Sequence, residues 1–129
     1  MNNHHVHPEV WFRPSPLASF DVLLTLFQNR EITITPRLGV RNGFHPKGYK
    51  PGQLVTLRLF GDDKQEKVSL KIRVDDIRIQ PLNMVQQADL AGSHFYRSWA
   101  DVQRELSFFE DRSVEPVECV SLIRFSYEN

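Results

Sequence analysis

Apolar residues recur with two periods along this chain, and the switches between them divide it into elements. Phe20, Leu23, Leu24 and Phe27 fall at helical spacing, behind Ser15 as an N-cap and Pro16 at the first helical position. The spacing predicts a helix that ends near Asn29, a residue that tolerates the left-handed C-terminal conformation. Its aromatic-aliphatic stripe is read as core. Residues 32–35 alternate Ile with Thr and predict a short strand, stopped by Pro36. Gly39, Asn42-Gly43, Pro46 and Gly48 make residues 38–50 a long loop with turn chemistry throughout. Residues 54–60 and 67–74 predict two strands joined by the turn Gly61-Asp62-Asp63-Lys64. Val68, Leu70, Ile72 and Val74 hold one phase, and Ile77 and Ile79 the other. A one-residue change of phase after Asp75-Asp76 predicts a β-bulge, which bends a strand as a barrel requires. Asn83 is a cap for a short helix over 84–91, closed by Gly92. Ser98 and Asp101 resemble a capping box opening a further helix that buries Trp99, Val102, Leu106 and Phe109. Residues 117–127 are rich in β-branched and aromatic side chains and predict a largely buried strand, with Cys119 buried in it. Pro8, Pro14 and Pro16 make residues 1–16 an irregular arm, from which Trp11 and Phe12 fold back onto the core. The expected organisation is this arm followed by one domain over 17–129.

Composition sets bounds on this picture. The chain has 129 residues, 40% hydrophobic and 25% charged, which suits one soluble globular domain with an ordinary core. No apolar run reaches the roughly 20 residues of a membrane helix, and the start lacks the basic-then-apolar pattern of a secretion signal. A single cysteine excludes a disulfide framework and makes a reducing cytoplasm the expected location. His4, His5 and His7 cluster in the arm, but no Cys or carboxylate pattern completes a metal site. Neither a metal nor a cofactor is read from the sequence.

Charge changes the picture more. The 16 basic and 16 acidic residues cancel overall. Yet residues 30–50 hold five basic residues (Arg30, Arg37, Arg41, Lys47 and Lys50) against Glu31 alone. Residues 101–129 hold seven acidic residues against three basic ones. A local positive field on one loop can draw in an anionic partner, though a solvated basic loop is the plainer explanation.

Several short motifs then fall in a telling order. Asn29 to Arg37 runs from a helix end through Thr33-Ile34-Thr35, and Lys50-Pro51-Gly52-Gln53 opens the next strand. The Trp99 helix precedes Cys119-Val120-Ser121-Leu122-Ile123-Arg124-Phe125. This order resembles that of the ASCH domain (activating signal cointegrator homology), a branch of the PUA-like superfamily. Such domains carry a helix running into G-x-K-T-x-T-x-R, a K-x-G-D-like turn, and a final helix and V-x-x-I-x-F strand. The resemblance covers about residues 17–127. It implies an α+β fold: a small, bent, mixed β-barrel of five to six strands, its ends covered by two to three helices. A cleft is expected between the loop after the first strand and the helices.

The resemblance further implies a module that binds RNA or a modified nucleotide. Some bacterial ASCH proteins resemble amidohydrolases acting on acetylated cytidine through a motif lysine, a motif threonine and a downstream glutamate. With Thr33 and Thr35 on the motif threonines and Arg37 on the motif arginine, the lysine position is Ile32, or Glu31 in the neighbouring register. Neither supplies a basic nitrogen that can carry a proton, and Arg30 cannot release one. Asp89 is the nearest downstream carboxylate. No catalytic residue is therefore assigned, and binding is the expected function, with hydrolysis of an acetylated nucleoside and protein interaction as alternatives. The expected ligand contacts are Arg30, Thr33, Thr35, Arg37, Arg41, His45, Lys47, Tyr49 and Lys50. Arg37 offers a rigid fork of donors, the loop cations add phosphate contacts, and Phe44, His45 and Tyr49 interleave rings among them. Phe44 and Tyr49 equally suit anchoring of the loop, and plain strand propensity is the simpler account of at least one of Thr33 and Thr35.

Overall fold

The fold is organised by the longest strand and by the point at which it bends. In a computed structural model, which describes residues 8–41 and 48–128, the elements are β1 (Glu9–Phe12), α1 (Phe20–Gln28), β2 (Ile34–Leu38), β3 (Leu54–Phe60), β4 (Glu66–Pro81), α2 (Trp99–Glu110) and β5 (Cys119–Tyr127). Two 3₁₀ turns, Leu82–Met84 and Gln87–Leu90, lie between β4 and α2. The described strands form one mixed sheet in the order β1-β3-β4-β5-β2, curled into a half-barrel. β4 pairs antiparallel with β3 through its first half and with β5 from Ile72 to Pro81. Its register shifts between Val74 and Asp76, where the change of apolar phase predicts a bulge.

Curling explains why β5 is buried on both faces. Ile123 and Phe125 pack into one core with Phe12, Leu23, Phe27, Ile32, Leu57, Leu59 and Ile72. Val120 and Leu122 point the other way, into a second core with Ile34, Leu82, Val85, Leu90, Val102, Leu106 and Val114. Leu23 and Phe27 on α1 close the first core, and Val102 and Leu106 on α2 close the second. The small α+β barrel-like fold and both helical stripes are thus present, and among the described residues no helix is long and apolar enough to cross a membrane.

Several boundaries differ from the sequence expectation, each for a physical reason. The arm contains a strand: residues 9–12 run parallel to β3, so Val10 and Phe12 are buried while Trp11 stays 51% exposed against Phe60. Ser15 does not cap α1. Its backbone forms a tight turn with Ala18, and Ser19 caps the helix by accepting the Val22 amide. Asn29 keeps a negative φ, and Arg30 takes the left-handed conformation. β2 starts later and runs through Pro36, which an edge strand permits because one side of its ladder is unpaired. The helix expected over 84–91 is the pair of 3₁₀ turns, held short because Leu82, Val85 and Leu90 are all anchored in the second core. Ser98 caps α2, but the Asp101 carboxylate accepts the Arg97 amide rather than completing a capping box. Cys119 is exposed, because the buried run of β5 begins one residue later at Val120.

Gly92 shows how tightly the 3₁₀ segment abuts β2. Its φ is +96°, its carbonyl accepts the Thr33 amide, and a Cβ built there meets Thr33 Oγ1 at 2.2 Å. Replacement by alanine adds both backbone strain and a collision. Gly92→Ala is expected to lower stability by about 2 kcal/mol or more, read as a drop in urea midpoint at unchanged slope.

Candidate ligand-binding cleft

The half-barrel leaves a gap between its two edge strands, β1 and β2, and side chains bridge it. The Thr56 amide donates to Pro8 O at 3.0 Å, so alternation directs the main chain of Val10 and Phe12 toward β3 and that of Glu9 and Trp11 outward. Both outward carbonyls are taken by side chains from across the gap. The Tyr49 hydroxyl donates to Glu9 O at 2.7 Å, and Arg37 Nη2 donates to Trp11 O at 2.8 Å. Arg37 Nε also donates to Thr35 Oγ1 at 3.0 Å, and its guanidinium carbon lies 4.9 Å from the centre of the Phe12 ring.

The chain leaving β2 is fixed just as firmly. Ser121, fully buried on β5, accepts the Arg41 amide at 2.8 Å and donates to Gly39 O at 2.7 Å. Arg41 Nε donates to Leu38 O, and the Tyr49 amide to Arg41 O. Gly39, at φ +88°, allows this turn.

Around these contacts lie two cavities that share Trp11, Arg37 and Arg41. One, of about 120 Å³, reaches under α2 between Phe12, Arg13, Thr35, Phe95, Glu105 and Phe109. The other, of about 430 Å³, opens between β1 and Tyr49. Burial lowers the Arg37 pKa, countered in part by the nearby Tyr49 and Tyr96. Burial also raises the Tyr49 phenol, against the pull of Arg37 and Arg41. Tyr96 is pushed well above the usual phenol value by burial and then by Glu105, to which its hydroxyl donates.

Of the expected contacts, the structure brings Thr35, Arg37, Arg41 and Tyr49 together. Thr35 is 3% exposed, with its hydroxyl turned to Arg37. Tyr49 is a buried anchor of its loop. Thr33 lies apart, its backbone tied to Gly92 and Phe125. Arg30 sits over the Tyr127 ring and lines neither cavity. Lys50 is exposed and also lines neither, its amide held by the Gln53 side chain. His45, Lys47 and Phe44 lie outside the described residues, as do His4, His5 and His7. Asp89 caps the Gln86 amide and pairs with Arg78, away from Thr35. Ile32, on the motif's lysine position, is fully buried in the core.

Sequence reasoning missed Trp11, Arg13, Glu105 and Phe109 as cleft residues. Arg13 lies 4.8 Å over the Phe109 ring, a pairing of residues 96 positions apart that no local pattern announces. Glu105 had a faint signal: it is the polar residue three after Val102, on the border of the apolar stripe of α2.

The Tyr49–Glu9 bond holds the cleft wall to β1. Tyr49→Phe removes one hydrogen bond and leaves the ring in place, so stability should fall by about 1 kcal/mol. A guanidinium denaturation midpoint equal to that of the unmodified chain would exclude a contribution from this bond.

No protein-family model matches the chain, and no curated protein matches it in sequence. Solved structures do match. A protein from Enterococcus faecalis V583, described by the family DUF984, superposes with a TM-score of 0.62 at 18% identity, covering 95% of this chain and 80% of that one. An ASCH domain from Lactobacillus crispatus JV V101 superposes with a TM-score of 0.61 at 12% identity, covering 92% and 77%. At these identities the likeness is one of fold, so the curled sheet and its two helices are those of an ASCH-like domain.

Proposed function

We propose that this chain is a nucleotide- or RNA-binding module that holds an anionic ligand in the cleft between β1, β2 and α2, without catalysis. One observation carries the reading. Arg58, Arg73, Arg78, Arg97, Arg104 and Arg112 are each paired with an Asp or Glu. Of the five arginines with no carboxylate within pairing distance among the described residues, Arg30 lies over the Tyr127 ring and Arg124 donates to backbone carbonyls, while Arg13, Arg37 and Arg41 gather at the one cleft. Burial penalises the Arg37 guanidinium in particular, Glu105 acts on it from the same cavity without forming an ion pair, and a phosphate would supply a direct partner.

The geometry leaves room for that role. Arg37 has five N–H donors, of which two serve Thr35 and Trp11. Aromatic rings of Trp11, Phe12, Phe95 and Phe109 stand beside the three arginines, the combination on which bases stack while cations hold the backbone. The cleft is not uniformly basic, since Glu105 and Glu110 also line it. A ligand with both anionic and hydrogen-bonding parts therefore fits better than a bare anion.

The alternatives have less support. Hydrolysis of an acetylated nucleoside needs a basic nitrogen, and no lysine lines the cleft among the described residues. In the acidic C-terminal region Asp101, Glu118 and Glu128 are already paired with Arg97, Arg112 and Arg73, which leaves a partner the exposed Glu110, Asp111 and Glu115.

Binding of a short single-stranded RNA should weaken steeply with salt, with a log–log slope of about −0.7 per phosphate contact. Arg13→Ala and Arg41→Ala should each weaken binding and make the slope shallower by about 0.7, with the fold intact by circular dichroism. Affinity that does not change with salt would remove the phosphate reading.

A further inference from the structure

Glu105 is a carboxylate with an unusual set of neighbours. It projects from α2 into the smaller cavity, and both of its oxygens are already held. Ser15 Oγ donates to Oε2 at 2.6 Å, and the Tyr96 hydroxyl donates to Oε1. No Lys, Arg or His nitrogen pairs with it among the described residues. Two hydroxyls from separate segments therefore fix the carboxylate rotationally without neutralising it. An ionised carboxylate only accepts, and its two oxygens offer about four acceptor positions. The two hydroxyls occupy two of them, so any ligand group meeting Glu105 must be a donor.

The walls say which kind of donor. Phe12, Phe95 and Phe109 line this cavity with Glu105, while Arg37 and Arg41 stand where it meets the larger one. Arg37 and Arg13 lie over the Phe12 and Phe109 rings, and a wall of rings and guanidinium planes suits the flat face of a base more than a sugar, with the remaining arginine donors free for the phosphate attached to it. A base seated in the small cavity thus presents its edge to Glu105. Carboxylates read the exocyclic amino group of a base by accepting from it.

We propose that Glu105 is a specificity-determining residue, accepting a hydrogen bond from the exocyclic amine of the bound base. The cleft then selects adenine or cytosine over their carbonyl counterparts hypoxanthine and uracil. This rests on the nucleotide-binding reading above. Thr35 is 3% exposed and its hydroxyl oxygen already accepts from Arg37, so Glu105 is the better placed acceptor.

The test is a fluorescence titration of the intact chain with four tetraribonucleotides, of A, I, C and U. The unmodified chain should bind A over I, and C over U, on the order of tenfold. Glu105→Gln keeps the shape and can still bond both hydroxyls, which donate or accept. It should bring both ratios close to one while I and U bind about as before. A merely structural role would shift all four affinities together. Equal binding of all four by the unmodified chain, or ratios that persist in Glu105→Gln, would overturn the assignment and leave the nucleotide reading standing. A preference that follows removal of the 2′-hydroxyl instead of the base amine would move the contact to the sugar and likewise overturn it. No binding of any of the four would remove the nucleotide reading, and this inference with it.

Discussion

The sheet stops short of closing, and the Arg37 guanidinium spans the gap that remains. β1 and β2 are its two edges, and no backbone ladder joins them. Arg37 instead reaches from β2 to the Trp11 carbonyl on β1, with Tyr49 bonding the Glu9 carbonyl beside it. An unprotected strand edge invites further strands to pair with it. Here the outward carbonyls of β1 are occupied, so the edge is blunted and a cleft takes the place of a ladder. Had β1 and β2 paired directly, backbone would fill the space now lined by Thr35, Arg37 and Arg41.

This arrangement gives Arg37 two tasks in one position. It holds the seam with two of its donors, and it keeps the remaining donors and its whole charge at the cleft. The charge is maintained because a guanidinium stays protonated even when burial lowers its pKa. Six arginines elsewhere pair with carboxylates, in contacts worth little individually to stability, while Arg30 lies over the Tyr127 ring and Arg124 donates to backbone carbonyls. The contrast at the cleft therefore bears on the proposed ligand more than on folding. Ser121 supports it from beneath: a buried hydroxyl fixes Gly39 and the Arg41 amide, and so sets where the loop arginine begins.

Much of the fold was legible because its signals are local and periodic. The Leu23 and Phe27 stripe, the Val102 and Leu106 stripe, the two central strands and the bulge after Val74 all follow from spacing along the chain. The errors fell where one residue had two uses. Ser15 has the chemistry of an N-cap, but its hydroxyl serves Glu105, 90 residues away. Trp11 and Phe12 sit among prolines, and parallel pairing with β3, more than 40 positions later, makes them a strand. The site was legible in part for the same reason: Thr35, Arg37, Arg41 and Tyr49 sit on or beside one loop, while Arg13 and Glu105 join them only across the fold.

The sequence by itself determined the two long helices and the strands from β2 onward, the bend in β4, the concentration of positive charge after the first helix, and the absence of a lysine from the motif position at Ile32. These depend on neighbours within a few residues, or on composition alone. Only the tertiary structure decided which cations stay unpaired, which carboxylate faces them, and that a guanidinium rather than a ladder spans the seam. Each of those is a contact between residues far apart in the chain, made when the curled sheet brings its two edges under α2.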